Sequence, residues 1–418
     1  MRDILIIAHF TQAPNEKGNG RFHYLAEKLS DANTKVELVT TDFSHRTKKS
    51  RQLTKEELIA IPYTFTMISE PPYEKNVSLN RFYSHYIFGR NLKNYLQHRK
   101  RPDVIYCSVP SLDAAKVAAE YARANHVKFI IDVQDLWPEA FEMIFDKGLL
   151  SKAIYYPMKK KADFIYAAAD AIIGVSDTYS SRALRVNEKC DTAHIVFLGT
   201  DLEHFDKLAQ EFKVLSKPDE ELWVAYIGTL GHSYDIKVVI DALKLLKDRG
   251  ISGIRFIVMG DGPLKETFET YAEEKGVETD FRGRLDYGQM VGILNECDIA
   301  VNPITRGAAQ SIINKHSDYA AAGLPVLNTQ ESMEYRYLVE KYDMGFNCNN
   351  NDPQDLAVKL IQLSTNELLR RSMGKNSRRL AEERFDRRII YEELVDIINL
   401  HCRQPENQQT LLEQGDNP

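Results

Sequence analysis

The chain has 418 residues, 43% of them hydrophobic and 27% charged, with a formal net charge of −6. That length exceeds what one core ordinarily serves and predicts two domains, while the acidic balance argues against a dedicated nucleic-acid binder. The 5 cysteines lie far apart with no C-x-x-C pair, which argues against a disulfide framework and a zinc site.

No apolar run approaches the length of a membrane span, and mean hydropathy is −0.39. The opening MRDILIIAHF lacks the layout of a signal peptide, so the expected compartment is the cytoplasm. It reads instead as the first strand of a Rossmann-type domain. Strands are predicted over 4–8, 35–40, 63–69, 104–108, 128–133, 171–175 and 194–198, with amphipathic helical stretches such as 20–29 and 112–124 between them. Together they make a first domain over 1–205. The polar stretch 206–222, which contains Pro218, reads as a linker. A second series over 223–227, 255–259, 279–282, 298–302, 325–328 and 345–348 makes a second domain over 223–385. A helix over 386–402 is expected to return to the first domain, and the polar tail 403–418 to be disordered. Short β-rich runs alternating with helices are the signature of parallel α/β layers.

The stretches that carry chemistry also follow chain order. Lys17-Gly18-Asn19-Gly20-Arg21 lies between the first strand and the first helix, where a glycine loop can approach a phosphate. Asp132-Val133-Gln134-Asp135-Leu136-Trp137-Pro138-Glu139 puts three carboxylates and an amide at a strand's carboxyl end, where α/β enzymes keep their chemistry. Asp135 could equally be a helix cap. Ile227-Gly228-Thr229 and Met259-Gly260-Asp261-Gly262 are tight turns after strands, and Phe281-Arg282-Gly283-Arg284-Leu285 ends another. The most informative stretch is Asn314-Lys315-His316-Ser317-Asp318-Tyr319, a helix that Gly323 and Pro325 then terminate. A helix N-terminus suits a phosphate, Lys315 adds a point charge, and Asp318 one turn on can accept from a sugar diol.

Taken together, these stretches resemble the family-4 glycosyltransferases over nearly all of residues 1–400, most strongly in the second half. The D-L-W-P-E string is similar to one in capsule and O-antigen members. The resemblance implies the α/β fold called GT-B, two doubly wound Rossmann-like domains facing across a cleft, with C-terminal helices. It implies that Gly18, Gly20, Ile313, Asn314 and Lys315 hold the donor diphosphate, and that Gln310 and Ser311 hold the donor sugar. Gly228, Thr229, Gly260, Gly262, Arg284, Leu285 and Asp318 would hold the nucleotide. Asp135, with Gln134 and Glu139 beside it, is the expected catalytic group. The chain also departs from the family. Thr229 and Asp235 stand where many members place an Arg and a Lys for the diphosphate, Gln310 and Asp318 replace the paired glutamates, and Gln134 replaces a histidine. A donor charge of about −2 then needs another cation, with Lys315 first and Lys237 and Arg306 behind it.

The family-implied activity is a retaining transfer of a hexose or N-acetylhexosamine from a nucleoside-diphosphate (UDP) sugar to a hydroxyl of a lipid-linked oligosaccharide in surface polysaccharide synthesis. The implied cofactor requirement is none, and no D-x-D metal motif is present. A basic run at His45-Arg46-Thr47-Lys48-Lys49-Ser50-Arg51 and a basic, aromatic helix over 75–102 suit an anionic membrane surface, which would make the enzyme peripheral on the inner face of the cell membrane. Two other classes fit the same residues: a non-catalytic glycosyltransferase-like partner, and a UDP-sugar epimerase on the same fold.

Overall fold

Residues Arg2–Ile7 form β1, and its side chains alternate between two buried layers, Leu5 and Ile7 on one face and Ile4 and Ile6 on the other. A strand buried on both faces needs apolar residues at successive positions and helices above and below it. The rest of the chain meets that need twice over. The computed structural model describes residues 1–16, 20–75, 78–140, 149–214, 217–308 and 311–402.

The first sheet continues with β2 (Thr34–Thr41), β5 (Thr64–Ile68), β6 (Val104–Val109), β7 (Lys128–Val133), β8 (Ala171–Gly174) and β9 (His194–Ile195), after a small antiparallel hairpin of β3 (Phe43–Ser44) and β4 (Lys49–Ser50). Its seven strands run parallel in the order β5-β2-β1-β6-β7-β8-β9. The second sheet holds β10 (Leu222–Ile227), β11 (Ile254–Met259), β12 (Thr279–Gly283), β13 (Ile299–Asn302), β14 (Val326–Asn328) and β15 (Gly345–Asn347). It is parallel too, in the order β12-β11-β10-β13-β14-β15. Both sheets are doubly wound, so the chain is α/β with two Rossmann-like halves. In each, strand order reverses beside the first strand, between β1 and β6 and between β10 and β13. At such a switch point the loops beyond the strands diverge and leave a crevice for a ligand.

One expectation needs correction, and two basic stretches turn part of their charge inward. The stretch 206–222 is not simply a linker. The helix Leu202–Glu211, capped by the Asp201 carboxylate, begins in the stretch assigned to the first domain, takes up the linker's first third, and buries Leu202, Phe205 and Ala209 with Trp223 in the second domain's core. Its polar residues are the outer face of an amphipathic helix, and composition alone reads such a face as loop. The basic run at 45–51 is the turn and return strand of the β3–β4 hairpin. Arg51 is drawn inside it, paired with Glu16 at 2.9 Å and donating to the carbonyls of Thr11 and Thr41. Within the basic helix, Leu79–His98, Arg81 points inward, and just beyond its end Arg99 pairs with Asp3 and Glu37. The exposed face keeps Leu79, Phe82, Tyr83, Tyr86, Arg90 and Lys93. The tail 403–418 lies outside the described residues.

At the carboxyl end of the chain, the helix Arg387–Cys402 packs Tyr391, Leu394, Ile397 and Ile398 against Ile4, Ile6 and Tyr106 of the first sheet. The two crossings between the sheets run side by side: the Thr200 amide donates to the Phe385 carbonyl at 2.8 Å, and the Arg387 amide to the Thr200 carbonyl at 3.0 Å. Arg21, the first residue of the helix Arg21–Leu29, closes this junction. It pairs in bidentate fashion with Asp132 at 2.8 and 3.2 Å and donates to the Phe197 carbonyl and the Tyr391 hydroxyl, all of it buried.

Candidate active site

Gly228 follows β10 at the second switch point with a φ of +136°, an angle that residues with a Cβ rarely adopt. A Cβ there would stand 3.1 Å from the Lys315 ammonium. Gly260 and Gly262, after β11, face the same turn: a Cβ at Gly260 would come within 1.8 Å of the Gly228 carbonyl oxygen, and one at Gly262 within 2.3 Å of that of Leu230. The close approach of these turns gives both glycines a packing reason to be small. Gly260 also lines the cleft.

The helix Asn314–Ala321 begins at Ile313, whose side chain cannot cap it, and ends as Gly323 turns the chain with φ +64°. Lys315 is buried, and its ammonium has no hydrogen-bond partner among the described residues. It lies 4.1 Å from the centroid of both the Tyr226 and the Tyr234 ring. Burial holds its pKa well below the usual lysine value. Asp318 accepts a 2.9 Å bond from the Tyr287 hydroxyl, which in turn meets the Thr200 hydroxyl at 3.0 Å, so this carboxylate is wired to the crossing between the sheets. Burial lifts its pKa to about 6.

These groups line one cleft of about 620 Å³ that draws on both halves of the chain. Gly228, Thr229, Gly260, Arg284, Leu285, Ile313, Asn314, Lys315 and Asp318 line it from the second domain, together with Tyr234, Tyr287 and Met290. Gln12 and Arg46 line it from the first. The Arg284 guanidinium donates to the Arg46 carbonyl at 3.3 Å across the mouth. The size and mixed polarity suit a nucleotide. A cavity of about 650 Å³ lies at the opposite, amino ends of the second sheet's strands, but its charges pair internally, Lys217 with Asp298 and Arg378 with Asp206.

Not every expected residue is there. Ser311 turns its hydroxyl to Glu334 at 2.7 Å, away from the cleft lining. Lys237 lies over the Tyr271 ring, and Arg306 is exposed with Glu331 at 3.7 Å, so neither backs Lys315. Gly20 sits at the start of the first helix, against Gln12 and His23. Gly18 and Gln310 lie outside the described residues. Arg46, Gln12 and the two tyrosines around Lys315 were missed. Spacing gives no sign of them, and the basic run containing Arg46 invited a surface reading.

Across the cleft, at the carboxyl ends of β1 and β7, stands an aromatic and cationic wall. Asp135 accepts from the Leu136 amide at 2.9 Å and the Trp137 indole at 3.3 Å. Burial raises its pKa to about 6, with the nearby Arg81 opposing the shift. Its two neighbours are tied elsewhere. The Gln134 amide donates to Asp132 at 2.9 Å, and Glu139 pairs with Arg182 at 2.6 Å. Asp135 is thus the member of the trio that faces the wall.

Residues 208–380 match the family model described as Glycosyl transferases group 1. By sequence the chain is similar to EpsD of Bacillus subtilis strain 168, named as a glycosyltransferase, at 24% identity over 327 residues, 75% of this chain and 81% of that one. It is similar to the capsular polysaccharide biosynthesis glycosyltransferase CapM of Staphylococcus aureus at 22% over 329 residues, 74% and 80% of the two chains. Among solved structures, HepE of Anabaena in complex with UDP and glucose superposes with a TM-score of 0.68 at 16% identity, covering 96% of this chain and 100% of that one. The fold is that of the GT-B glycosyltransferases, and the family match with the two named relatives makes the chain a glycosyltransferase. Its second half carries the Glycosyl transferases group 1 domain.

Proposed function

We propose that the enzyme moves a sugar from UDP to a hydroxyl of a lipid-linked saccharide acceptor during surface polysaccharide synthesis, with retention at the sugar carbon. The observation that carries this is Lys315: a buried ammonium with no hydrogen-bond acceptor among the described residues, at a helix N-terminus, inside a cleft of nucleotide size. A diphosphate supplies what that place lacks, because amides of the first helical turn and the ammonium all bind anionic oxygen. The capsular role named for CapM and the UDP bound by HepE support capsule chemistry and UDP.

In this reading the nucleoside lies toward Arg284, Leu285 and Asp318 and the diphosphate at Asn314 and Lys315. The bond from the sugar carbon to the phosphate oxygen breaks, and its electron pair leaves with UDP. Asn314, Lys315 and their amides stabilise the charge that develops there. The acceptor hydroxyl attacks from the same face, and its proton passes to the departing phosphate or to Asp135. The exposed Leu79, Phe82, Tyr83 and Tyr86, with Arg90 and Lys93 further along the helix, suit an anionic bilayer where such an acceptor resides.

A thermal-shift screen of nucleoside-diphosphate sugars tests the donor. UDP-sugars are expected to stabilise the protein, by about 2.7 kcal/mol at a hundred times the dissociation constant. Transfer to an acceptor must follow. A bound donor that never turns over would favour a non-catalytic partner, and conversion of the free UDP-sugar an epimerase.

A further inference from the structure

Two aromatic rings enclose the ammonium of Lys315. Tyr226 belongs to β10 and is fully buried, and its hydroxyl donates to the Thr229 carbonyl at 2.7 Å, so the ring is held at both ends. Tyr234 lies in the loop between β10 and the helix Ile236–Asp248. Its backbone bridges to Ile304, and the Thr305 amide donates to the Ser233 carbonyl at 3.0 Å, which fastens this loop to the one after β13. The two rings meet edge to face with centroids 5.8 Å apart, and the ammonium lies 4.1 Å from each centroid. Gly228 forms a third side, where a Cβ would stand 3.1 Å from the ammonium.

The acids nearest in sequence to this place are committed elsewhere. Asp318 accepts from the Tyr287 hydroxyl at 2.9 Å, and Asp235 caps the helix Ile236–Asp248 by accepting from the Val238 amide at 3.1 Å. A buried ammonium without a counter-ion is pushed toward the neutral amine, as burial pushes Lys315. The face of an aromatic ring opposes that push, because its quadrupole attracts a cation, and more strongly where water is excluded. A ring face also differs from a carboxylate in a way that matters to an anionic ligand. It attracts the charge without taking up the three N–H donors of the ammonium. A carboxylate would occupy those donors and repel an incoming diphosphate.

We propose that Tyr226 and Tyr234 are positioning residues for the donor: their ring faces keep the Lys315 ammonium charged and fixed in place, with its N–H donors open to diphosphate oxygens. This rests on the donor reading of the cleft and adds to it the residues that prepare its cation. Tyr234 is the one to vary, because it lines the cleft while Tyr226 belongs to the core.

Calorimetric titration with UDP tests this on the full chain, on Tyr234→Phe, Tyr234→Leu and Lys315→Met, and on the Tyr234→Leu, Lys315→Met double variant. Tyr234→Phe keeps the ring and is expected to bind within about threefold of the wild type, whereas Tyr234→Leu is expected to lose about tenfold, as fits a desolvated contact between a cation and a ring. In the Lys315→Met background, Tyr234→Leu is expected to cost nothing more, because no ammonium is left to hold. Equal losses in both backgrounds would make the ring merely structural and overturn the proposal. A Tyr234→Phe loss as large as that of Tyr234→Leu also overturns it, by assigning the effect to the hydroxyl. Protein carrying lysine isotopically labelled at Cε supplies a readout without ligand. The Lys315 methylene resonance, identified by its absence from Lys315→Met, is expected upfield of the other lysines because of the ring currents, and to return toward them in Tyr234→Leu. If the wild type does not bind UDP, the donor reading fails and the positioning role with it. UDP binding together with an unshifted Lys315 resonance overturns the positioning role alone.

Discussion

Lys315 carries its amino group to a place with two aromatic faces and, among the described residues, no hydrogen-bond acceptor. A lysine held below its ordinary value costs folding stability wherever the unfolded residue would be charged, so the cost is full at low pH and vanishes above about 10.5. At neutral pH, Lys315→Met is therefore expected to leave the apo protein as stable as the wild type or more so. UDP affinity is expected to fall by one to two orders of magnitude, about 1.4 to 2.8 kcal/mol. Calorimetric titration with UDP checks this, and an unchanged affinity would remove Lys315 from the donor site. Asp135 makes a second test at this scale. Its raised pKa means that it is a carboxylate above about pH 6 and protonated below. Turnover that needs the carboxylate should rise with pH through about 6. Asp135→Asn should lose that limb and about a hundredfold in kcat, with donor affinity little changed. Wild-type turnover in the variant would leave Asp135 the role of a loop acceptor for Leu136 and Trp137.

Among the elements, the helix Arg387–Cys402 depends on a side chain nearly four hundred positions away in sequence. Arg21 ties Asp132, the Phe197 carbonyl and Tyr391 of that helix into one buried knot. Removing one member of a buried ion pair leaves the other charge without its counter-charge, at a cost of about 3–5 kcal/mol, whereas replacing both with apolar residues is far milder. Arg21→Met is therefore expected to lower stability by that amount in urea unfolding, and the Arg21→Met, Asp132→Leu double variant to recover most of it. Additive losses in the double variant would mean that the two residues act separately. The β3–β4 hairpin shows the same dependence on tertiary context. Its basic turn divides its charges, with Arg46 toward the donor cleft, Lys48 toward the opposite wall and Arg51 inward to Glu16.

For the molecule as a whole, two sheets of like order turn their switch points to one cleft, and paired strand-like crossings at Thr200 and Asp386 join them. Tyr287 connects Asp318 in the cleft with Thr200 in the crossing, so the cleft and the joint between domains share hydrogen bonds. In the proposed donor mode, cations for the diphosphate come from both sides of the cleft, Lys315 from one domain and Arg46 from the other. With that compensation supplied by side chains and helix amides, transfer is expected to persist in excess EDTA. Activity that disappears and returns with magnesium or manganese would place a metal in the mechanism.

Much of this was legible from local pattern. Continuous apolar runs such as Ile4 to Ile7 require a strand covered on both faces, and their alternation with amphipathic stretches implies two parallel sheets, because each element's burial is written in its own residues. Lys315 and Asp318 were legible for a similar reason: one turn of helix puts them on one face whatever surrounds them. The start of the linker was misplaced because a polar run has no way to declare the side that packs, and Leu202, Phe205 and Ala209 became core of the second domain only once Trp223 lay against them. Sequence spacing also could not show that Gly260 and Gly262 pack against the backbone of Gly228 and Leu230, which adjacent parallel strands bring together. Arg46, Tyr226 and Tyr234 depend on contacts between residues distant in the chain, set by sheet order and by how the two domains meet. Local sequence determines which faces must be buried, and only the tertiary structure decides which charges then find themselves together.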